Sequence, residues 1–122
     1  MNQHICVLIA DDRPASLNGL RALLATQPTI DIVGEASDGQ EAIQLVEHCQ
    51  PDVVLMDVRM PVISGLEATR IIKDHWPEVK IIVLTMYPSH QAEALAAGAD
   101  VFLVKGCAAE DLLQAILKGE TP

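Results

Sequence analysis

The sequence predicts an α/β fold in which five parallel strands form one open sheet between two layers of helices. Short runs rich in Val, Ile and Leu recur five times, as expected of strands that are buried on both faces. A segment with helical spacing of apolar residues follows each run, and such a strand needs a crossover helix before the next parallel strand. The predicted strands cover residues 5–10, 30–33, 53–56, 79–84 and 101–104.

Composition places the chain among single globular domains. It has 122 residues, half of them apolar, which is enough for one core without disulfides or metal. The formal net charge of −9 argues against a nucleic-acid surface, which needs clustered Lys and Arg. Cys6, Cys49 and Cys107 are odd in number and widely spaced, so they form neither a disulfide framework nor a zinc pattern. The N-terminus has no signal-peptide pattern, and a cytoplasmic location is the default expectation.

The helices follow from local signals taken in chain order. Pro14 suits the first turn of the first helix, where its missing N–H would have no partner in any case. Ser37 or Asp38 would cap the second helix, and Ser64 would cap the third. The fourth helix is predicted over residues 90–97 and the fifth over 108–118.

The polarity of the strands predicts their order in the sheet. The second run continues with Gly34 and Glu35 and also contains Asp31, so it belongs at an edge. The first, third and fourth runs are the most apolar and belong at the centre. The order 2-1-3-4-5 satisfies both conditions and keeps the crossovers right-handed. This is the order of flavodoxin-like folds, a three-layer (βα)5 sandwich.

Polar residues collect where ligands bind in such folds, at the carboxyl ends of the strands. They are Asp11, Asp12, Asp57, Thr85 and Lys105. Taken singly, each residue has an ordinary explanation. Asp11 and Asp12 could cap a helix, and the other three could be solvent-exposed residues without a special role. Taken together, crowded carboxylates favour a hard cation such as Mg²⁺. A metal with a lysine and a hydroxyl suits phosphoryl transfer, and a carboxylate can accept the group.

Four motifs give the sequence a family resemblance. They are LIADD at residues 8–12, LMDVRMPVISG at 55–65, VLT at 83–85 and AAGADVFLVK at 96–105. Together they resemble the response-regulator receiver domain of two-component systems. Residues 11–24 and 57–72 are similar to its NarL/FixJ-type subfamily. The resemblance covers essentially the whole chain, and motif order and spacing agree with the predicted strands.

The resemblance implies a phosphoacceptor and a metal site. Asp57 would accept the phosphoryl group, and Mg²⁺ would be the cofactor. Asp12 would ligate the metal directly, whereas Asp11 would support it through water or hydrogen bonds. Arg59 would supply its backbone carbonyl, so its side chain would be free to vary. The implied metal set is therefore Asp11, Asp12, Asp57 and the carbonyl of Arg59.

The resemblance also implies residues for catalysis and switching. Lys105 would pair with one phosphoryl oxygen, and Thr85 would hydrogen-bond another. Thr85 and Phe102 would be the switch residues that change the face around the fourth helix and fifth strand. Gly65 would permit the tight turn that closes the loop after Asp57.

Partners and domain organisation are further implications of the resemblance. A sensor histidine kinase would donate the phosphoryl group, and phosphorylation could produce a homodimer. Residues 1–122 would form one receiver domain, either independent or part of a longer regulator with a C-terminal helix-turn-helix domain. DNA would be contacted only through that domain, and no membrane contact is expected. The chain would catalyse only its own phosphorylation and dephosphorylation, so it is expected to be a signalling domain that controls an output such as transcription.

Three features of the sequence depart from the family pattern. The switch aromatic, often Tyr, is Phe102, which has no hydroxyl. Gly106 stands where many receivers have Pro, which puts a cis peptide bond there in doubt. The stretch from Thr85 to Lys105 is about two residues shorter than expected, which predicts a fourth helix of about two turns.

The sequence also has three alternative functional interpretations, each from a different class of protein. An aspartyl-phosphate phosphatase or phosphotransferase on the same scaffold would need a second acid two residues after Asp57, where this chain has Arg59. A flavin-binding module would need a Ser/Thr/Gly-rich loop after the first strand, where Asp11 and Asp12 would repel a phosphate. A receiver-like domain used only for docking would not need the complete acidic set.

Overall fold

The computed structural model describes residues 4–118, and these form an α/β sandwich with one parallel sheet. The strands are β1 (Ile5–Ala10), β2 (Ile30–Ala36), β3 (Val53–Met56), β4 (Lys80–Thr85) and β5 (Val101–Val104). The helices are α1 (Pro14–Leu24), α2 (Gly39–Cys49), α3 (Gly65–His75), α4 (Gln91–Ala96) and α5 (Ala109–Leu117). The strand order β2-β1-β3-β4-β5 and the parallel pairings confirm the predicted fold class. No helix within residues 4–118 is long and apolar enough to cross a membrane.

Alternating side chains of the central strands fill two separate cores. In β1, Val7 and Ile9 pack on the side of α1 and α5, whereas Leu8 and Ala10 pack on the side of α2, α3 and α4. The same alternation runs through β3 and β4. Because successive residues of a strand point to opposite faces, an unbroken apolar run is what a doubly covered strand requires.

Two strands differ from their predicted bounds. β2 extends to Ala36, beyond the predicted end at Val33, because β1 continues to pair with it as far as Ala10 opposite Ala36. The pairing register of β1 and β2 shifts between Val7 and Leu8. Beyond the shift, Leu8 pairs with Gly34 and Ile9 pairs with Glu35. β4 begins and ends one residue later than predicted, so Thr85 is the last residue of the strand and is not part of the loop.

The helix ends combine expected and unexpected features. Of the two candidates for the cap of α2, the structure has Asp38, and Ser64 caps α3 as predicted; each side chain accepts from the third following backbone N–H. Pro14 begins α1 as predicted, with Arg13 as the N-cap and no side-chain cap. The predicted fourth helix over 90–97 is one residue too long at each end, since His90 belongs to a 3₁₀ turn at Pro88–His90 and α4 ends at Ala96.

Gly65 lies where two stretches of backbone come together. Its N–H donates to the Val58 carbonyl at 2.8 Å, and it is the first residue of α3. A Cβ at this position would lie 1.7 Å from the carbonyl oxygen of Asp57, far inside contact distance. Close approach therefore requires a glycine here, and the turn after Asp57 is held by this contact.

We expect Gly65→Ala to destabilise the domain by several kcal/mol, because the overlap with the Asp57 carbonyl forces backbone movement. The matched control is Gly19→Ala in α1, where an added Cβ meets nothing within 4 Å. That control should raise the free energy of unfolding by about 0.5–1 kcal/mol through helix propensity. Urea unfolding measures both. Equal effects of the two substitutions would contradict the close approach at Gly65.

Candidate functional site

The residues singled out from the sequence meet at one edge of the sheet. Asp11, Asp57 and Lys105 directly follow β1, β3 and β5, and Thr85 ends β4. These four strands are neighbours, so their carboxyl ends lie side by side. Backbone hydrogen bonds hold the ends in register: the Asp57 N–H donates to the Ala10 carbonyl, and the Lys105 N–H donates to the Thr85 carbonyl.

Three carboxylates form a cluster at this edge. Asp11, Asp12 and Asp57 each place a carboxylate oxygen within 4.8 Å of the other two. Asp11 is 2% exposed and Asp57 is 6% exposed, whereas Asp12 is open to solvent. The cluster therefore combines two buried acids with one at the surface. Oxygen donors at this spacing fit a hard divalent cation, which takes carboxylate, carbonyl and water ligands.

Lys105 is the cation that joins the two buried acids. Its Nζ lies 2.8 Å from Asp11 Oδ2 and 3.3 Å from Asp57 Oδ2. The residue reaches them from the end of β5, on the far side of β4. One ammonium thus faces two carboxylates, and it lies farther from the carboxylate of Asp57 than from that of Asp11.

The two buried acids respond to this environment in opposite directions. Burial of Asp11 disfavours its charge, but hydrogen bonds from Lys105, Ser16 and the Arg13 N–H outweigh it and lower the pKa of Asp11. At Asp57, by contrast, burial dominates: Lys105 favours the charge and Asp11 opposes it, and the pKa of Asp57 is raised. Asp57 is therefore the acid whose charge is less well compensated within the protein.

The loop after β3 fixes Asp57 through backbone contacts. The Val58 N–H donates to Asp57 Oδ1 at 2.8 Å, and the Gly65 N–H closes the loop on the Val58 carbonyl. Within the loop Val62 has a φ of 68°, a left-handed conformation that is costly for a β-branched residue. Its side chain is 73% exposed, so apolar burial does not offset this cost.

Thr85 lies beside the acidic cluster but is bonded to a different set of groups. Its side chain is 1% exposed, and its Oγ1 lies 3.1 Å from His90 Nδ1. The Tyr87 N–H donates to the same Oγ1 at 3.3 Å. The rings of Tyr87 and His90 meet edge to face, and the Arg59 guanidinium lies 4.2 Å from the centroid of the Tyr87 ring. The Arg59 side chain, to which the sequence assigned no role, therefore has a defined contact with Tyr87.

Phe102 lies on the same sheet face as Thr85 but two residues nearer the start of its strand. The ladder pairs Phe102 with Val83 and Val104 with Thr85, so Phe102 and Thr85 are diagonal neighbours. Phe102 is half-buried and packs against the core on the side of α2, α3 and α4. No peptide bond within the described chain is cis, including the one before Gly106.

Sequence reasoning missed His90 and Tyr87 as members of this site. Neither belongs to a motif that predicts chemistry, and both follow the strand end at which Thr85 was singled out. Their contact with Thr85 and Arg59 depends on how the segment after β4 turns at residues 88–90. A single sequence carries no pattern that fixes this turn.

Comparison with known proteins agrees with these observations. The family model for the response regulator receiver domain matches residues 7–117. The transcriptional regulatory protein DegU of Brevibacillus brevis is 37% identical over 114 residues, which are 92% of this chain and 48% of DegU. The chain thus spans about half the length of the curated relatives it matches.

Two solved structures have the same fold over nearly the whole chain. A LuxR-family two-component response regulator from Aurantimonas sp. SI85-9A1 is 32% identical, with a TM-score of 0.89 over 97% of this chain and 88% of that one. The isolated REC domain of RcsB from Salmonella enterica serovar Typhimurium, determined with the phosphomimetic BeF3⁻, is 31% identical. Its TM-score is 0.86 over 98% of this chain and 93% of that one. The resemblance to receiver domains of the NarL/FixJ type is confirmed.

We expect Val62→Asn to raise the free energy of unfolding by about 1 kcal/mol, because Asn tolerates the left-handed region that Val occupies at a cost. Val62→Ala is the control. It removes the β-branch but gives no special tolerance of the left-handed conformation, so it should raise the free energy of unfolding less than Val62→Asn does. Urea unfolding of the three proteins decides the order. A less stable Val62→Asn variant would show that the loop does not hold Val62 in strain.

Proposed function

Because this chain belongs to the response regulator receiver domain family, we propose that it is a phosphoacceptor switch of a two-component system, with Asp57 as the acceptor. One observation carries the proposal. Asp57 is a buried carboxylate whose Oδ2 lies 3.3 Å from the Lys105 ammonium, in a cluster with two further acids. The ammonium suits an anionic phosphoryl group, and the three acids suit a cation that binds together with it.

In the transfer step an Asp57 oxygen attacks the phosphorus of a phosphohistidine on a sensor histidine kinase. The new O–P bond forms as the N–P bond breaks, and the electron pair of that bond returns to the imidazole, which takes a proton from water. Lys105 stabilises the charge on a phosphoryl oxygen, since its ammonium already lies beside the attacking carboxylate. The Val58 N–H keeps the other Asp57 oxygen in place.

Asp11, Asp12 and Asp57, with the backbone carbonyl of Arg59, are the residues proposed to hold Mg²⁺. Their donor set fits the ion, because all are oxygens and the three carboxylates lie within 4.8 Å of one another. Bound Mg²⁺ would supply positive charge to the phosphoryl oxygens during transfer. Asp12, which is exposed, is positioned to take up the ion from solvent.

The proposed readout runs from Thr85 to Phe102. Thr85 would donate a hydrogen bond to a phosphoryl oxygen, and Phe102 would fill space that the threonine leaves on the same sheet face. The changed surface of α4, β5 and α5 would favour a homodimer or an output partner. The domain would catalyse only its own phosphorylation and dephosphorylation, in the cytoplasm.

The relatives that match are transcriptional regulatory proteins, and this chain matches about half of their length. We therefore propose that residues 1–122 are one receiver domain and that a C-terminal helix-turn-helix domain of a longer regulator would contact DNA.

We expect Asp57→Asn to abolish phosphorylation by acetyl phosphate in the presence of Mg²⁺, because the amide cannot form the acyl phosphate. Intact-protein mass spectrometry should show one added phosphoryl group on the wild type and none on the variant. Asp74→Asn, an exposed position on α3, is the control and should be labelled like the wild type. Full labelling of Asp57→Asn at another residue would overturn the assignment.

We expect Asp12→Ala and Lys105→Ala to separate metal binding from chemistry. Asp12→Ala removes an anionic ligand and should weaken Mg²⁺ binding about tenfold or more. Lys105→Ala removes a cation next to the site, so Mg²⁺ affinity should be kept or increased while phosphoryl uptake falls. Isothermal titration with Mg²⁺ and mass spectrometry after acetyl phosphate measure the two effects. Equal losses of Mg²⁺ affinity would contradict the separate roles.

A further inference from the structure

The hydroxyl of Thr85 is already engaged by two groups outside the acidic cluster. His90 Nδ1 lies 3.1 Å from Oγ1, and the Tyr87 N–H donates to Oγ1 at 3.3 Å. Within residues 4–118 no hydrogen bond joins this hydroxyl to Asp57 or Lys105. The side chain is buried, so water does not replace these partners readily.

The Thr85 hydroxyl can donate one hydrogen bond and can accept two. A backbone N–H can only donate, so Oγ1 accepts from Tyr87. The direction of its hydrogen bond with His90 depends on the imidazole tautomer: the hydroxyl donates its proton to Nδ1 in the tautomer that has no proton on that nitrogen. A threonine that donates to His90 cannot at the same time donate to a phosphoryl oxygen.

The imidazole of His90 is held in place by its surroundings. His90 ends the 3₁₀ turn Pro88–His90, and its backbone N–H donates to the Tyr87 carbonyl at 3.1 Å. Its ring meets the Tyr87 ring edge to face at a centroid distance of 5.4 Å. Arg59, from the loop after β3, covers the Tyr87 ring at 4.2 Å. These contacts hold His90 Nδ1 close to the Thr85 hydroxyl.

We propose that His90 is a positioning residue that holds the Thr85 hydroxyl in the unphosphorylated arrangement, and that this hydrogen bond breaks when Thr85 donates to the phosphoryl group. The inference rests on the proposed function, because it assumes that Thr85 reads the phosphoryl group. His90 competes with that group for one proton. Removing its nitrogen therefore favours the phosphorylated arrangement, by about three- to tenfold for a typical hydrogen bond.

The first test compares His90→Phe with His90→Asn. Phenylalanine keeps an aromatic ring next to Tyr87 but has no acceptor nitrogen, whereas asparagine places an amide atom near the position of Nδ1. We expect His90→Phe to bind BeF3⁻ three- to tenfold more tightly than the wild type in the presence of Mg²⁺, followed by NMR titration. His90→Asn should return the affinity towards the wild-type value. In a Thr85→Val background His90→Phe should have no effect, because the hydroxyl is gone.

The second test needs no phosphoryl mimic. We expect ¹⁵N NMR to show that His90 Nδ1 carries no proton and accepts a hydrogen bond. Thr85→Val should shift this signal, and Thr85→Ser should restore it. This measurement keeps the proposal testable if His90→Phe fails to fold.

Each result bears on a different statement. A proton on Nδ1, or equal BeF3⁻ affinities of wild type and His90→Phe, overturns the role of His90 and leaves the proposed function intact. A wild type that takes up neither BeF3⁻ nor a phosphoryl group from acetyl phosphate overturns the proposed function and this inference together.

Discussion

The Lys105 ammonium between two buried carboxylates is the interaction on which the rest of the site depends. Burial raises the pKa of both Asp11 and Asp57, and Asp11 raises that of Asp57 further, whereas Lys105 lowers the pKa of both acids. Lys105 comes from the last strand, and it reaches acids that follow the first and third strands. The site therefore has its counter-ion only when β1, β3, β4 and β5 pair in this order. One cation among three acids leaves the cluster with a net negative charge that a bound cation would reduce.

Backbone geometry, more than side-chain packing, sets the position of Asp57. The residue is held between the Ala10 carbonyl, which accepts from its N–H, and Gly65, whose Cα approaches its carbonyl closely. The loop between these points includes Val62 in a left-handed conformation. A residue with a positive φ and no apolar burial lowers the stability of the loop, and such strain is common in loops of functional sites.

The loop after β3 and the segment after β4 are linked above the site. Arg59 extends from the first onto Tyr87 in the second, and Tyr87 contacts His90, which bonds to Thr85. This path gives the Arg59 side chain a role in packing, although its backbone was the part singled out from the sequence. It also means that a change at Asp57 and a change at Thr85 would act on connected segments.

The sequence by itself determined the fold and the membership of the acidic cluster. Strand periodicity and the polarity of residues 30–35 were enough for the order 2-1-3-4-5, and that order brings Asp11, Asp57 and Lys105 together because parallel strands end at one edge. Tertiary structure decided where β2 ends, how short α4 is, and which groups bond to Thr85. The end of β2 depends on pairing with a strand that is distant in sequence, and such a contact leaves no repeating pattern in a single sequence. The length of α4 and the partners of Thr85 depend on the local 3₁₀ turn at Pro88–His90, which is too short to show the periodicity that reveals a helix or a strand.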